Sequence, residues 1–288
     1  MTEKCPLCSG SSPHWLAKSG RDYCRCNHCG LIWIAEGLVR DEQSRSIYEQ
    51  PVPVFIQDGN ARYYLDETSN DAALAKLQIV RRYASTGVRL LDVGSGFGHF
   101  LGVAKSTFDA VGLELSPFAV EWSRRELQVQ NFVGSLYDIP RAIVPPFDVV
   151  TCWDVIEHLE QPRQALEALA NLTKSGGLLF LSTPDAGSVV ARLLGRHWYY
   201  LDPVQHIALF NRANLTDLAQ TVGFSLVKAR SIGRTYRLEY ILERLLFLYR
   251  APQPEKQTPS RFRLPRRLVN LRIPIRFGDV MLFVFRKR

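Results

Sequence analysis

The sequence predicts an α/β protein: a seven-stranded, mostly parallel sheet with helices on both faces, preceded by a small cysteine-rich block. Three observations carry this reading. Over residues 87–230, short β-branched or leucine-rich runs alternate with helical patterns, the signature of strand–helix–strand units. The first of these runs ends in a glycine turn and passes straight into a helical pattern. At the head of the chain, two Cys-x2-Cys pairs stand 17 residues apart.

Residues 1–36 are rich in Cys, Gly and Ser. Cys5-Pro6-Leu7-Cys8 and Cys26-Asn27-His28-Cys29 can each bite one metal from a tight turn, and the gap lets the chain return to close a tetrahedron. Cys5, Cys8, Cys26 and Cys29 therefore predict a zinc ribbon. Four thiolates leave no open position, so the zinc is structural, a staple for a block with little apolar content. Cys24 and His28 are alternative ligands, and Cys152, inside an apolar run, is a buried hydrophobe. Residues 37–86 read as a polar helical connector interrupted by Pro51 and Pro53.

Residues 87–288 hold the main domain. Val88–Val93 is a buried strand and Phe97–Phe108 has helical spacing. Ala110–Leu115 is the second strand. Pro117–Val129 is a helix with Ser116 as its N-cap and Pro in the first turn. Asn131–Val133, Phe147–Trp153 and Gly177–Ser182 are the next strands, with a helix at Pro162–Leu172. Asn211–Val222 is a helix stopped by Gly223, and Phe224–Ala229 is the sixth strand. Met281–Phe285 is the seventh, reached across an insertion at about 231–277.

Composition narrows the class. The chain has 288 residues, 46% hydrophobic and 22% charged, with mean hydropathy −0.09, as expected of a globular protein. No apolar run reaches the length of a membrane-spanning helix. The start lacks a basic segment followed by an apolar one, so a cytoplasmic location is expected. The net charge of +8 is uneven: residues 228–288 hold 16 Lys and Arg against 4 acidic residues, and the rest hold 20 against 24. An anionic partner belongs with that C-terminal fifth.

The glycine turn reads Asp92-Val93-Gly94-Ser95-Gly96-Phe97-Gly98. Strand, turn and helix place Gly94, Ser95, Gly96 and Gly98, with their backbone N–H groups, beside a ligand. A nicotinamide dinucleotide would want glycine where His99 stands, and Asp92 would repel a pyrophosphate. The same carboxylate suits a ligand carrying an ammonium and a sulfonium. Glu114 closes the second strand 20 residues after Gly94, where an acid can accept from ribose hydroxyls.

Leu90–Gly98, Val111–Ser116, Gly134–Pro140 and Phe147–Leu159 together resemble the motifs of class I S-adenosylmethionine-dependent methyltransferases, in the family's order and spacing. Glu157-His158 is similar to the pair in ubiquinone-biosynthesis-type methylases. The resemblance implies a Rossmann-like fold with S-adenosylmethionine as donor. It implies donor contacts from Asp92, Gly94, Gly96, Glu114 and Leu115, from Asp138 at the adenine, and from Trp153 and Asp154 after the fourth strand. Arg25-Cys26-Asn27-His28-Cys29-Gly30-Leu31 resembles the ribbons of methyltransferases from saccharide and secondary-metabolite clusters, which suggests a sugar or lipid-linked saccharide as acceptor.

Methyl transfer to a hydroxyl needs a base that titrates near neutrality. Sites in open α/β sheets lie beyond the strands' carboxyl ends. His206, just before the Asn211 helix, is the first candidate base and His158 the second; each also has a structural reading, as a brace for nearby backbone. Glu157 and His158 alone are too few ligands for a metal. Trp198, Tyr199 and Tyr200 are candidate walls of the acceptor pocket.

The span Arg237–Arg250 reads as an amphipathic helix, and Arg261, Arg263, Arg266, Arg267, Arg272 and Arg276 follow in a loop-like stretch. This predicts contact with a lipid-linked acceptor or an anionic membrane surface, hence a peripheral place at the inner membrane face. An RNA methyltransferase using ribbon and basic tail is the first alternative. Nucleic acid is not the expected partner, because Trp153-Asp154-Val155-Ile156 lacks the Pro-Pro-aromatic motif of enzymes that methylate base amines. A non-catalytic donor-binding scaffold is the second alternative. The acceptor atom and the oligomeric state are not encoded legibly.

Overall fold

The structure is a computed structural model that describes residues 2–18, 20–35, 67–203, 205–238, 242, 271–275 and 277–288. It contains two compact units: Met1–Ile232 with Phe277–Arg288, and Gly233–Arg276.

In the first unit, the strands β1 (Thr2–Lys4), β2 (Ser11–Lys18), β3 (Arg21–Arg25) and β4 (Ile32–Ile34) form the ribbon. The helix α1 (Glu67–Val80) lies in the segment expected as a helical connector; residues 36–66 of that segment fall outside the described residues. Then follow β5 (Arg89–Val93), α2 (His99–Ala104), β6 (Asp109–Glu114), α3 (Pro117–Leu127) and β7 (Gln130–Val133). After these come β8 (Phe147–Trp153), α4 (Pro162–Leu172), β9 (Thr173–Pro184), α5 (Val189–Leu194) and β10 (Ala208–Leu209). The helix α6 (Arg212–Thr221) and strand β11 (Phe224–Ser231) follow, and β14 (Val280–Lys287) ends the chain. The second unit contributes β12 (Arg234–Arg237) paired antiparallel with β13 (Arg272–Ile275).

The main sheet has seven strands in the order β11-β14-β9-β8-β5-β6-β7. The pairs β5/β6, β6/β7, β5/β8 and β8/β9 are parallel. Strand β14 runs antiparallel to both its neighbours, β9 and β11. It slots between them because Val280–Phe285 is apolar on both faces and buried throughout, as a central strand requires. The helix α3 starts as its residues dictate: Ser116 Oγ accepts from Ala119 N at 3.3 Å, and Pro117 occupies the first turn.

Several expectations need correction. The helix expected over Phe97–Phe108 is confined to His99–Ala104, and β9 is longer than Gly177–Ser182. Arg237, the first residue of the expected amphipathic helix, closes a strand, while Leu238 and Leu242 are helical as expected and the rest of that helix lies outside the described residues; Arg272 opens a strand where a loop was expected. The ribbon is also not a block apart. Cys5, Cys24, Cys26, Leu31 and Trp33 pack in the same apolar cluster as Leu91, Val150, Phe210 and Phe283.

That cluster gives the first prediction. Phe283 is fully buried and stacks on Phe285 at 5.3 Å between ring centroids. Phe283→Ala is expected to cost about 3–5 kcal/mol of unfolding free energy, read from urea denaturation. A cost below about 1 kcal/mol would be typical of a surface position and would remove β14 from the core.

Candidate active site and metal centre

The donor end of the site is built where β5, β6 and β8 finish. Asp92, one residue before the end of β5, is 1% exposed. Its register partner on β8 is Thr151, whose hydroxyl donates to Asp92 Oδ1 at 2.6 Å. Burial pushes the Asp92 carboxyl up to about 7; the Thr151 hydroxyl and the charge of Lys76 pull it down, and Glu114 pushes it further up. Glu114, at the end of β6, accepts from Gly96 N at 2.8 Å and Ser116 N at 2.9 Å. Burial raises this carboxyl too, against the backbone N–H groups of Ser116, Gly96 and Leu115.

The glycine turn differs from the amide cradle expected of it. Gly94 N and Ser95 N donate to Leu113 O, Gly96 N to Glu114, and Gly98 N to Ser95 O. The Ser95 hydroxyl turns inward to Asn131 Oδ1 at 2.8 Å. The turn's amides are therefore used to fasten β5 to β6, and what it offers a ligand is close approach to backbone. Gly94 has φ +69°, and a Cβ there would come within 2.4 Å of Val155 Cγ2. Gly96, with φ +54°, opens onto empty space.

Leu115 and Asp138 are exposed on the same edge, Asp138 in a turn where Ser135 Oγ accepts its amide at 3.1 Å. Trp153 is buried, with the Lys76 ammonium 5.1 Å from its ring centroid and Phe100 edge-on. Its Nε1 is buried without a hydrogen-bond partner. Asp154 holds φ +58°, an uncommon backbone state for a non-glycine residue at the strand's exit, and accepts from Ser182 Oγ at 3.1 Å.

The second cluster lies just beyond β8. Glu157 is 1% exposed and accepts from Thr183 Oγ1 at 2.9 Å. His158 Nδ1 lies 2.7 Å from Gln205 O, and His206 Nδ1 lies 2.8 Å from Tyr200 O. Against a carbonyl oxygen, each Nδ1 carries a proton and donates it. The two rings are 4.9 Å apart, and Glu157, His158 and His206 bring one ligand atom each within 4.8 Å of one another. His206 supplies the third group that sequence spacing did not bring to Glu157 and His158. Three nearby carboxylates also leave their mark on Cys152, whose thiol is pushed well up by burial and then by Glu157, Asp92 and Asp154.

Trp198 and Tyr200 are buried in an apolar cluster; Tyr200 stands 5.7 Å from His206 and supplies its carbonyl partner. Tyr199 is partly exposed and donates to Asp279. Thr151 and Lys76 were not foreseen. Thr151 meets Asp92 only through strand register, which no sequence pattern prints.

In the ribbon, Cys5, Cys8, Cys26 and Cys29 place all four Sγ atoms within 4.8 Å of one another. Cys5–Cys29 and Cys8–Cys26 are each 3.5 Å apart, close to the ~3.8 Å edge of a tetrahedron of thiolates around zinc. Cys24 and His28 are outside the cluster. Leu7 N donates to Cys5 Sγ, and His28 N and Cys29 N to Cys26 Sγ. Burial raises the Cys26 thiol, but the amides of Cys29 and His28 with the side chains of Cys8 and Ser12 outweigh it and bring it to about 6, whereas burial pushes Cys5 up to about 11 and raises Cys29 as well.

A methyltransferase-domain family model matches residues 62–229. A ubiquinone biosynthesis O-methyltransferase of Xanthomonas campestris is 34% identical over 159 residues, 48% of this chain and 66% of that protein. The Xanthomonas euvesicatoria protein of the same name is 32% identical over 182 residues, 54% of this chain and 76% of its own length. Among solved structures, an S-adenosylmethionine-dependent methyltransferase of Thermotoga maritima superposes with TM-score 0.52 at 20% identity, covering 81% of this chain and 97% of its own. One from Archaeoglobus fulgidus gives 0.52 at 17%, covering 78% and 99%. These structural likenesses establish the fold.

Proposed function

The chain belongs to the class I S-adenosylmethionine-dependent methyltransferases, and from that premise we propose that it methylates a hydroxyl of a small-molecule acceptor. One observation carries the reading: two buried carboxylates stand at the ends of neighbouring strands, and Glu157, His158 and His206 converge after β8. The donor brings a methyl carbon activated by a sulfonium. Asp92 accepts from its ammonium, Glu114 from its ribose, and Leu115 and Asp138 flank its adenine. Trp153 and Asp154 close the pocket where methyl carbon and acceptor oxygen align. His206, with His158 beside it, takes the hydroxyl proton on Nε2.

The relatives named for O-methyl transfer in ubiquinone biosynthesis support a hydroxyl acceptor, and the ribbon's likeness to those of methyltransferases from saccharide clusters supports a sugar. A sugar or lipid-linked saccharide stays the proposed class. No helix among the described residues is long and apolar enough to cross a membrane. The basic C-terminal fifth is proposed to meet the anionic part of such an acceptor or a bilayer face. The test is transfer of labelled methyl into a host extract, fractionated into RNA, lipid and water-soluble molecules. Label in an ether of the lipid or small-molecule fraction is expected; label confined to RNA overturns the reading.

A second reading of the same three residues rests on their shared reach and on histidines anchored through Nδ1 to carbonyls, the usual support of metal-ligating imidazoles. In that reading Glu157, His158 and His206 hold a divalent cation that lowers the hydroxyl's pKa. Transfer would then stop on adding a carboxylate chelator and return with excess magnesium or manganese. A base alone predicts no rescue by magnesium or manganese.

We further propose zinc as the ribbon's metal. Elemental analysis of the purified chain is expected to show about one equivalent. Cys26→Ser is expected to lose it, and a metal-free, fully folded ribbon contradicts the assignment.

A further inference from the structure

Strand β10 joins the ribbon sheet, whose order is β1-β2-β3-β4-β10. It pairs antiparallel with β4, Ala208 opposite Trp33 and Leu209 opposite Ile32. Ile34 N donates to Ile207 O at 3.2 Å, and the fully buried Tyr23 on β3 donates its hydroxyl to His206 O at 3.4 Å. On the other side, Ile207 N donates to Glu157 O at 3.0 Å. The backbone that carries His206 is therefore clamped between the ribbon and Glu157.

The far end of the segment is tied to the metal knuckle itself. Cys29 O accepts from Asn211 Nδ2 at 2.8 Å and from Asn214 Nδ2 at 3.2 Å. Asn211 and Asn214 also form the reciprocal cap that starts α6. The fit is close, since a Cβ on Gly30 would reach within 2.9 Å of Asn211 Nδ2. Cys29 is a member of the four-thiol cluster, so whatever fixes its Sγ also fixes the carbonyl that anchors α6.

We propose that the ribbon is a positioning element of the methyl-transfer site: its metal, through Cys29 and Tyr23, sets the place of His206. This rests on His206 belonging to the acceptor site. The ribbon then does more than staple its own turn, because four thiolates closed on one metal hold two strands and a helix cap in the register that presents the imidazole. Residues supporting a reactive group from behind typically change its performance by about 10–100-fold.

The test uses the full chain with isotope-labelled histidine, the His206 ring signals being identified by their loss in His206→Gln. Removing zinc under reducing conditions is expected to shift the His206 ring resonances and lower kcat about tenfold or more. Donor affinity by calorimetry stays as it was, and reloading zinc restores signal and rate. In Tyr23→Phe, with zinc content unchanged, the His206 resonances are also expected to move. The proposal is overturned if they stay in place in Tyr23→Phe, whether or not the stripped protein remains folded. Unmoved signals in a stripped, folded chain overturn it as well. If His206→Gln keeps full transfer while the ring signals still follow the metal, the assignment of the base fails and the positioning stands.

Discussion

Asp92→Asn is expected to weaken S-adenosylmethionine binding by roughly 10- to 100-fold, the cost of removing one partner from a buried charge-assisted hydrogen bond. The substitution keeps an acceptor for Thr151, so the fold should survive and calorimetry should report the donor site alone. Acidity supplies a second signature. Burial holds the free Asp92 carboxyl at about 7, and a cationic ligand favours its ionised form. Below that pH, binding must expel a proton, so affinity rises as pH climbs through about 7 and then levels. The gain is at most about tenfold per pH unit. In Asp92→Asn that rise should vanish. Wild-type affinity in the variant would show that the carboxylate does not meet the donor.

His206→Ala is expected to lower kcat by about 10²–10⁴-fold, the usual contribution of a positioned base, with donor affinity unchanged. The split follows from the proposed assignment: His206 sits with Glu157 and His158, while the donor's polar groups are assigned to Asp92 and Glu114. His206 Nδ1 faces Tyr200 O, so truncation also strands a partly buried carbonyl. A thermal melt of the variant must accompany the kinetics. His206→Gln, which can still donate a hydrogen bond, should restore stability without restoring rate. A variant that keeps the full rate would leave the imidazole as a brace for the 200–206 loop.

Much of the sheet is written plainly in the chain, because parallel strands buried on both faces must be continuous apolar runs. Phe147–Trp153 is such a run at the centre of the sheet, and the antiparallel Val280–Phe285, flanked by β9 and β11, is apolar on both faces for the same reason. Asp92, Gly94, Gly96 and Glu114 stand at the strand exits where the sequence put them, and there topology places ligands. What the turn does with its amides was not legible, since fastening β5 to β6 depends on register between strands. Strand β10 left no pattern at all: two residues carry no periodicity, and their partner is some 175 positions earlier. That pairing is what joins the ribbon to the segment that carries His206. The low apolar content of residues 1–36 suggested a self-contained knuckle, yet Leu31 and Trp33 are core residues of the whole unit.

The most direct measurement is a calorimetric titration of the full chain with S-adenosylmethionine and, separately, with its demethylated product. The structure predicts one site for each, with proton release on donor binding near neutral pH from Asp92. No detectable binding of either compound by a folded chain would contradict the account at its root.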